Sequence, residues 1–257
     1  MTAQSYRFET GSVSHVGRVR EHNEDRLLAA PDIGLWLVAD GMGGHFGGDV
    51  AAEAIVEQAA TVSRTATAPD LMARFVDRMA RANDAIREHS ARNQDAMIGA
   101  TIAGLLVHGN GFAAVWCGDS RVYLMRDGAL VQLTRDHTEV QELLDAGAIT
   151  EDQARSWPRR NVITRAVGVG DEVALESVDG QLQDRDCFVL CSDGLTGHLE
   201  DPEIAAMIRG LPAQRASDAL VAETLARGAQ DNVTVVVVRC ALKTVVGGPN
   251  GEPGAAE

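Results

Sequence analysis

Acidic residues recur in this chain at the ends of short apolar segments. Residues 35–39 are wholly apolar and run directly into Asp40 and Gly41, a pattern typical of a buried strand that ends in a tight turn. A carboxylate held there loses hydration at considerable cost unless a positive partner meets it, and a divalent metal ion is the strongest candidate. Four further acids share this placement, with Glu24 beside the first of them: Asp25, Asp119, Asp193 and Asp231.

Each acid taken alone also has an ordinary explanation. Asp-Gly after a strand is common turn chemistry, and Glu24 with Asp25 would suit a solvated turn. A dinucleotide-binding loop does not fit, because the glycines fall at 41, 43, 44, 47 and 48 and an acid would repel a pyrophosphate. The repetition of the pattern favours one shared site, since carboxylates held close together raise one another's pKa and resist burial unless cations neutralise them.

The candidate ligands are hard oxygen donors. Because the chain has no His-x-x-x-His or paired cysteine motif near these acids, Mg²⁺ or Mn²⁺ fits better than Zn²⁺. Two such ions about 3.5–4 Å apart could share one carboxylate, lower the pKa of a water and clamp phosphoryl oxygens. Arg20 is either a surface charge or a fork for phosphate oxygens. Together these residues predict phosphoester hydrolysis.

Composition limits the class of protein. The 257 residues, 45% of them hydrophobic, suffice for one large core, and no linker divides the chain. A formal charge of −14 argues against nucleic acid and anionic membranes as partners. Without a signal segment or a long apolar run, a soluble cytoplasmic protein is expected. Reduced, buried thiols are expected for the cysteines, which lie in apolar segments: Cys117, Cys187, Cys191 and Cys240.

Hydrophobic spacing predicts an alternation of strands and paired helices. Strands are predicted at 6–15, 99–107, 111–117, 122–126, 130–133, 173–178, 186–191 and 233–238. Helices are predicted at 49–64, 70–93, 202–208 and 213–227, with Asp201-Pro202 as cap and first turn of the third. This order predicts two sheets packed face to face with a helix layer outside each.

Residues 134–169 interrupt the strand rhythm. They carry two short helical segments, 139–145 and 151–156, together with Arg159-Arg160 and several glycines, which predicts a mobile excursion. The Gly- and Pro-rich residues 243–257 have nothing to bury and are expected to be a disordered tail.

Six motifs, in order between about residues 6 and 240, together resemble those of the metal-dependent Ser/Thr protein phosphatases, also called type 2C, and most closely the compact bacterial members. They are Arg20-x-x-Asn23-Glu24-Asp25, Asp40-Gly41-Met42-Gly43-Gly44-His45, Gly118-Asp119-Ser120-Arg121, Asp136-His137-Thr138, Ser192-Asp193-Gly194-Leu195 and Asp231-Asn232-Val233-Thr234. The resemblance implies an α+β fold over 1–242: a four-layer α-β-β-α sandwich of two antiparallel sheets flanked by helix pairs. The excursion at 134–169 would be a flap beside the active site.

The resemblance also implies a role for each acid. Asp40 would bridge two tightly bound Mn²⁺ or Mg²⁺ ions, Asp193 and Asp231 would complete one of them, and the Gly41 carbonyl would hold the other. Glu24 and Asp25 would act through metal-bound waters, whereas Asp119 and Asp193 would hold a third, weaker ion. Arg20 would bind the substrate phosphate, so the expected catalytic residues are Arg20, Asp40 and Asp193.

Substrates implied by the resemblance are phosphoserine and phosphothreonine proteins, with a bacterial Ser/Thr kinase and its targets as partners of a monomeric enzyme. Arg159 and Arg160 in the flap are expected to recognise them. An inert phosphoprotein-binding module and a small-phosphoester hydrolase are the alternatives. Met42 occupies the position where eukaryotic relatives carry a histidine proposed as general acid, so a metal-bound water is the expected proton donor. His45 is near in sequence only, and the other histidines are expected to be structural or solvated.

Overall fold

Two five-stranded antiparallel sheets form the centre of the computed structural model, which describes residues 5–43, 47–94 and 96–243. The strands are β1 (Tyr6–His15), β2 (Asp25–Ala30), β3 (Leu35–Met42), β4 (Gly99–His108), β5 (Gly111–Cys117), β6 (Arg121–Arg126), β7 (Ala129–Gln132), β8 (Glu176–Gln181), β9 (Cys187–Cys191) and β10 (Val233–Leu242). One sheet has the order β1-β10-β9-β6-β7 and the other the order β2-β3-β4-β5-β8.

Four of the helices cover the outer faces of the sheets. The helices of the described residues are α1 (Gly48–Ala60), α2 (Ala68–Arg92), α3 (Glu139–Asp145), α4 (Glu151–Arg155), α5 (Asp193–Thr196), α6 (Asp201–Ile208) and α7 (Ala213–Ala226). The helices α1 and α2 pack on the sheet that contains β3, and α6 and α7 pack on the sheet that contains β10. The predicted four-layer α-β-β-α sandwich is confirmed.

The core has three layers, which explains why the central strands are apolar throughout. In β3, Trp36 and Val38 point between the sheets, whereas Leu37 points towards α1 and α2. In β10, Val236 also lies between the sheets and Val237 faces α7. Both faces of these strands are buried, so neither shows the alternation of polar and apolar residues found in half-exposed strands.

Several boundaries differ from the predicted ones for local reasons. Strand β8 begins at Glu176 rather than at 173 because only residues 176–181 pair with β5. Helix α6 is capped by Glu200, which forms a reciprocal capping box with Glu203, and Pro202 lies in the first turn as predicted. The single-turn helix α5 was not predicted, because the Ser-Asp-Gly sequence after β9 reads equally well as a plain turn.

The excursion at 134–169 contains α3 and α4. One isolated β-bridge, Thr138 with Ile163, joins the two ends of the excursion, and a second, Ala100 with Val167, ties it to β4. Its mobility remains a prediction. Of the predicted tail at 243–257 only Lys243 is described, and residues 244–257 lie outside the described residues, as does His45. Within the described ranges, no helix combines the length and apolarity needed to cross a membrane.

The four cysteines are free and buried, as predicted. Burial raises the pKa of the Cys117 and Cys191 thiols to about 12 and that of Cys187 to about 11. Each thiol is therefore protonated at neutral pH and packs as a small apolar side chain.

Candidate metal centre

Acids from both sheets meet at one edge of the sandwich. Asp40 in β3 lies directly opposite Asp25 in β2. In the other sheet, Asp193 follows β9 and Asp231 precedes β10, and these two strands are antiparallel neighbours, so the end of one lies beside the start of the other. Asp119 lies in the turn between β5 and β6. The fold thus collects at one place the acids that the sequence separates by two hundred residues.

A cleft of about 480 Å³ opens at this edge. Seven of the residues predicted for the site line it: Arg20, Glu24, Asp40, Gly41, Asp119, Asp193 and Asp231. The other lining residues are Glu21, His22, Met42, Gly43, Thr101, Asn161, Ile163 and Asn232. Asp25, Arg159 and Arg160 are not among the lining residues.

Asp25 lies behind the cleft and links the two sheets. It is 2% exposed, and its Oδ2 accepts a 2.8 Å hydrogen bond from the Ser192 hydroxyl. Its Oδ1 is buried and has no hydrogen-bond partner in the part of the chain that the structure describes. Burial raises the pKa of Asp25 to about 6, although the hydroxyls of Thr234 and Ser192 favour its charged form. A buried carboxylate oxygen with an unused lone pair suits a hydrated cation in front of it.

Burial is the main cause of the raised pKa values of four acids in the cleft, which are Glu24, Asp40, Asp119 and Asp193. Asp40 is partly reached by solvent through the cleft, yet protein surrounds it closely, and burial followed by the charges of Asp25 and Asp193 raises its pKa well above the usual range. Burial and then Asp193 raise the pKa of Asp119 to about 8. The pKa of Asp193 is raised by burial and then by Asp231. This set of oxygen donors fits a hard divalent cation, which would relieve the repulsion.

In residues 5–43, 47–94 and 96–243, no three His, Cys, Asp or Glu side chains form a group that could hold a metal ion as they stand. An arginine supplies part of the positive charge instead. Arg20 Nε donates to Asp231 Oδ1 at 2.9 Å and its Nη2 donates to Oδ2 at 2.7 Å. The hydrogen bond to Asp231 raises the pKa of Arg20 further. The guanidinium predicted to bind phosphate is therefore paired with a predicted metal ligand.

This pair is exposed enough to exchange partners. The Arg20 and Asp231 side chains are 58% and 41% exposed, and ion pairs of that kind contribute only about 0.2–1 kcal/mol. The guanidinium remains in the cleft lining, within reach of an anion that enters there.

Glycines are required here for backbone packing. A Cβ on Gly41 would lie 2.0 Å from the Gly48 carbonyl oxygen at the start of α1. In α5, a Cβ on Gly194 would lie 1.9 Å from the Asn232 carbonyl oxygen. The absence of a side chain at Gly41 thus has a packing reason, and its carbonyl as a metal ligand remains a prediction.

Asn232 is a residue of the cleft that the sequence analysis did not single out. Its Nδ2 donates to the carbonyls of Val16 and His22, and its Oδ1 accepts from the Glu24 amide at 2.8 Å. One side chain therefore fixes the loop that carries Arg20 and Glu24. Its position next to Asp231 in a recognised motif was the available signal.

The flap contributes residues other than the predicted pair. Asn161 and Ile163 line the cleft, two positions apart as expected for one face of an extended segment. Arg159 instead forms a 2.9 Å ion pair with Glu139 at the start of α3, and Arg160 donates to the Arg155 carbonyl. His22 also lines the cleft and is exposed to solvent.

Comparison with known proteins gives concordant matches. The family model described as protein phosphatase 2C matches residues 14–244. The Ser/Thr protein phosphatase PstP of Mycobacterium tuberculosis is 37% identical over 222 residues, which are 86% of this chain and 43% of that protein. The chain therefore spans less than half the length of this relative.

Two solved structures superpose over most of the chain. PppA, a key regulatory component of T6SS in Pseudomonas aeruginosa, has a TM-score of 0.84 and 37% identity over 92% of this chain and all of that one. The catalytic domain of PstP in complex with two manganese ions has a TM-score of 0.83 and 33% identity, again over 92% of this chain and all of that one.

Proposed function

Because the chain belongs to the protein phosphatase 2C family, we propose that it is a metal-dependent protein phosphatase that hydrolyses phosphoserine and phosphothreonine. The observation that carries the proposal is the cleft itself: carboxylates from both sheets converge on it, and an arginine lies beside them. The phosphatase domain comprises residues 1–242.

The residues of the site would have different roles in binding metal and substrate. Asp40, Asp193, Asp231 and the Gly41 carbonyl would hold two Mn²⁺ or Mg²⁺ ions, with Glu24 and Asp25 acting through ordered water. When bound, such ions stabilise phosphoryl oxygens and lower the pKa of water. The PstP catalytic domain with two manganese ions supports this assignment.

Arg20 would orient the substrate phosphate, because its guanidinium presents paired donors in the geometry of phosphate oxygens. Met42 lines the cleft but has no proton to give to the leaving oxygen. Asp119, with Asp193, would hold a third and weaker ion and in this way assist protonation of the leaving oxygen. An alkyl phosphate needs that proton more than an activated aryl phosphate does.

The substrates would be phosphoproteins, and the partners a bacterial Ser/Thr kinase and its targets, met by a monomeric enzyme in the cytoplasm. The name of the PstP relative, a Ser/Thr protein phosphatase, supports this substrate class. An inert phosphoprotein-binding module is disfavoured, since the four aspartates proposed as direct metal ligands, Asp40, Asp119, Asp193 and Asp231, all line the cleft.

The proposal is tested by hydrolysis of a phosphopeptide panel in the presence of Mn²⁺, Mg²⁺ or a chelator. We expect turnover that requires metal and favours phosphopeptides over nucleotides. Tight phosphopeptide binding without turnover would instead identify a binding module, and equal rates on nucleotides would identify a small-phosphoester hydrolase.

A further inference from the structure

His137 is a buried histidine at the base of the flap that no catalytic role requires. It is 5% exposed and all of its polar groups are engaged. Its backbone amide donates to the Gly118 carbonyl at 2.9 Å, and its ring Nδ1 accepts from the Gly118 amide at 3.1 Å. One residue therefore holds both backbone groups of the glycine that precedes Asp119.

Gly118 adopts a backbone conformation that favours glycine, so this turn is held by its contacts with neighbouring residues. Its φ is +110°, a region that side-chain-bearing residues rarely adopt, and a Cβ there would lie 2.5 Å from the Thr101 side chain. On the other side of Asp119, the Ser120 hydroxyl is 2.6 Å from the Thr101 hydroxyl. The backbone that carries the Asp119 carboxylate is thus held by contacts on both sides.

The other side of His137 contacts the flap and the edge of the sheet. Its carbonyl accepts from the amide of Thr164, the residue after the cleft-lining Ile163, at 2.8 Å. Because Nδ1 accepts a hydrogen bond, a neutral ring carries its proton on Nε2, which lies 3.3 Å from Glu176 Oε1 in β8. The same Glu176 oxygen accepts from Arg165 at 2.6 Å, and Trp116 stacks on the imidazole with centroids 6.2 Å apart.

We propose that His137 is a positioning residue that fixes the Asp119 carboxylate and joins it mechanically to the flap segment lining the cleft. The inference rests on the proposed function. The flap would then do more than contact substrate. The segment that carries Ile163 and the turn that carries Asp119 are both hydrogen-bonded to the same buried residue, His137. A displacement of the flap at Thr164 is then transmitted to Asp119 through the two hydrogen bonds to Gly118.

The test uses three variants of the full chain. His137→Phe keeps a flat ring against Trp116 but removes the acceptor for the Gly118 amide. His137→Asn keeps an acceptor, because its amide oxygen can take the place of Nδ1. His108→Phe makes the same exchange in the β4–β5 hairpin, at the opposite end of β4 from the cleft, and serves as the matched control.

The first readout is hydrogen exchange of residues 117–121 in metal-free protein. Loss of a hydrogen bond with a net contribution near 1 kcal/mol should speed exchange there about fivefold in His137→Phe. His137→Asn should exchange more nearly like wild type, and His108→Phe should not differ from it in this segment. Exchange in His137→Phe at the wild-type rate, in protein that remains folded by circular dichroism, overturns the proposal.

The second readout is kinetics on two substrates. In His137→Phe, kcat for an alkyl phosphoserine peptide should fall several-fold more than kcat for an aryl phosphate, and His137→Asn should recover most of the difference. In an Asp119→Ala background, His137→Phe should add little, because the group it positions is gone. Additive losses would contradict positioning through Asp119. An inactive wild type would refute the proposed function, whereas an active wild type with an unaffected His137→Phe would refute only this inference.

Discussion

Asp40 is the carboxylate whose pKa the other acids of the site raise together. Burial, followed by the charges of Asp25 and Asp193, raises its pKa well above the usual range, and its carboxylate would be needed to hold the proposed pair of metal ions. Asp40→Asn should therefore reduce phosphopeptide turnover roughly a hundredfold or more. Steady-state assays with saturating Mn²⁺ measure this loss.

The same substitution has an opposite expected effect on stability, which separates function from folding. Replacing Asp40 by a neutral isostere removes a buried charge among like charges, so the metal-free variant should melt at a higher temperature than metal-free wild type above neutral pH. A folded Asp40→Asn protein with near-normal activity would contradict the two-metal assignment.

Arg20 is expected to act mainly on substrate binding. A phosphate fork stabilises ground state and transition state alike, so Arg20→Ala should raise KM more than it lowers kcat. Because the pair with Asp231 is exposed, the melting temperature should change little. A fall in kcat at unchanged KM would show that Arg20 instead serves to orient Asp231.

At the residue scale, the sequence was informative wherever burial forces a residue type. An acid after an apolar strand also suits an ordinary turn, so Asp40 and Asp193 were predictable as members of one site only because the pattern recurs along the chain. The pairing of Arg20 with Asp231 was not predictable, because it depends on how a loop near residue 20 meets a strand more than two hundred residues later. The same holds for Asn161, whose place in the cleft depends on the path of the flap.

Among the elements, the flap offers the clearest test of specificity. Arg159→Ala with Arg160→Ala should spare an aryl phosphate but change the preference among phosphopeptides, because neither side chain lines the cleft and Arg159 is 65% exposed. Competition assays with acidic and neutral phosphopeptides measure the preference.

The matched comparison is Asn161→Ala with Ile163→Ala. These side chains line the cleft, so their loss should raise KM for every phosphopeptide, irrespective of its charge. If both double variants changed the preference among phosphopeptides in the same way, Arg159 and Arg160 would have no recognition role distinct from that of the cleft-lining pair.

The types of the elements were predicted well because the hydrophobic periodicities are strong. The observed boundaries differ from the predicted ones where tertiary contacts determine the end of an element. The second helix of the first pair, α2, begins two residues before its predicted start, since Thr67 supplies the cap for the Asp70 amide. Residues 173 and 175 pack against the core without joining the sheet, so their apolar character indicated burial and not strand pairing.

For the whole molecule, the raised pKa values predict an unusual pH dependence of stability. Between the unfolded pKa near 4 and the folded values of about 6 for Asp25 and about 8 for Asp119, the folded state binds more protons than the unfolded state. The free energy of unfolding should therefore fall as pH rises through this window. Thermal melts in chelator from pH 5 to pH 8 measure it.

Divalent ions should reverse this trend by neutralising the acids, so Mn²⁺ should raise the melting temperature more at pH 8 than at pH 5. Asp119→Asn should flatten the slope measured in chelator. A melting temperature in chelator that rises steadily from pH 5 to pH 8 would contradict the raised pKa values.

The burial of the cysteine thiols determines how readily the protein reacts with oxidants. Cys117 directly precedes the Gly118–Asp119 turn and Cys191 lies two residues before Asp193, yet both are shielded and held as unreactive thiols by pKa values of about 12. Hydrogen peroxide and iodoacetamide should therefore leave phosphatase activity intact at doses that inactivate a thiolate nucleophile. Mass spectrometry of the four cysteines alongside activity checks this. A phosphatase whose metal ligands are oxygen atoms would continue to remove phosphate groups during oxidative stress, under conditions that inactivate hydrolases with an essential thiol.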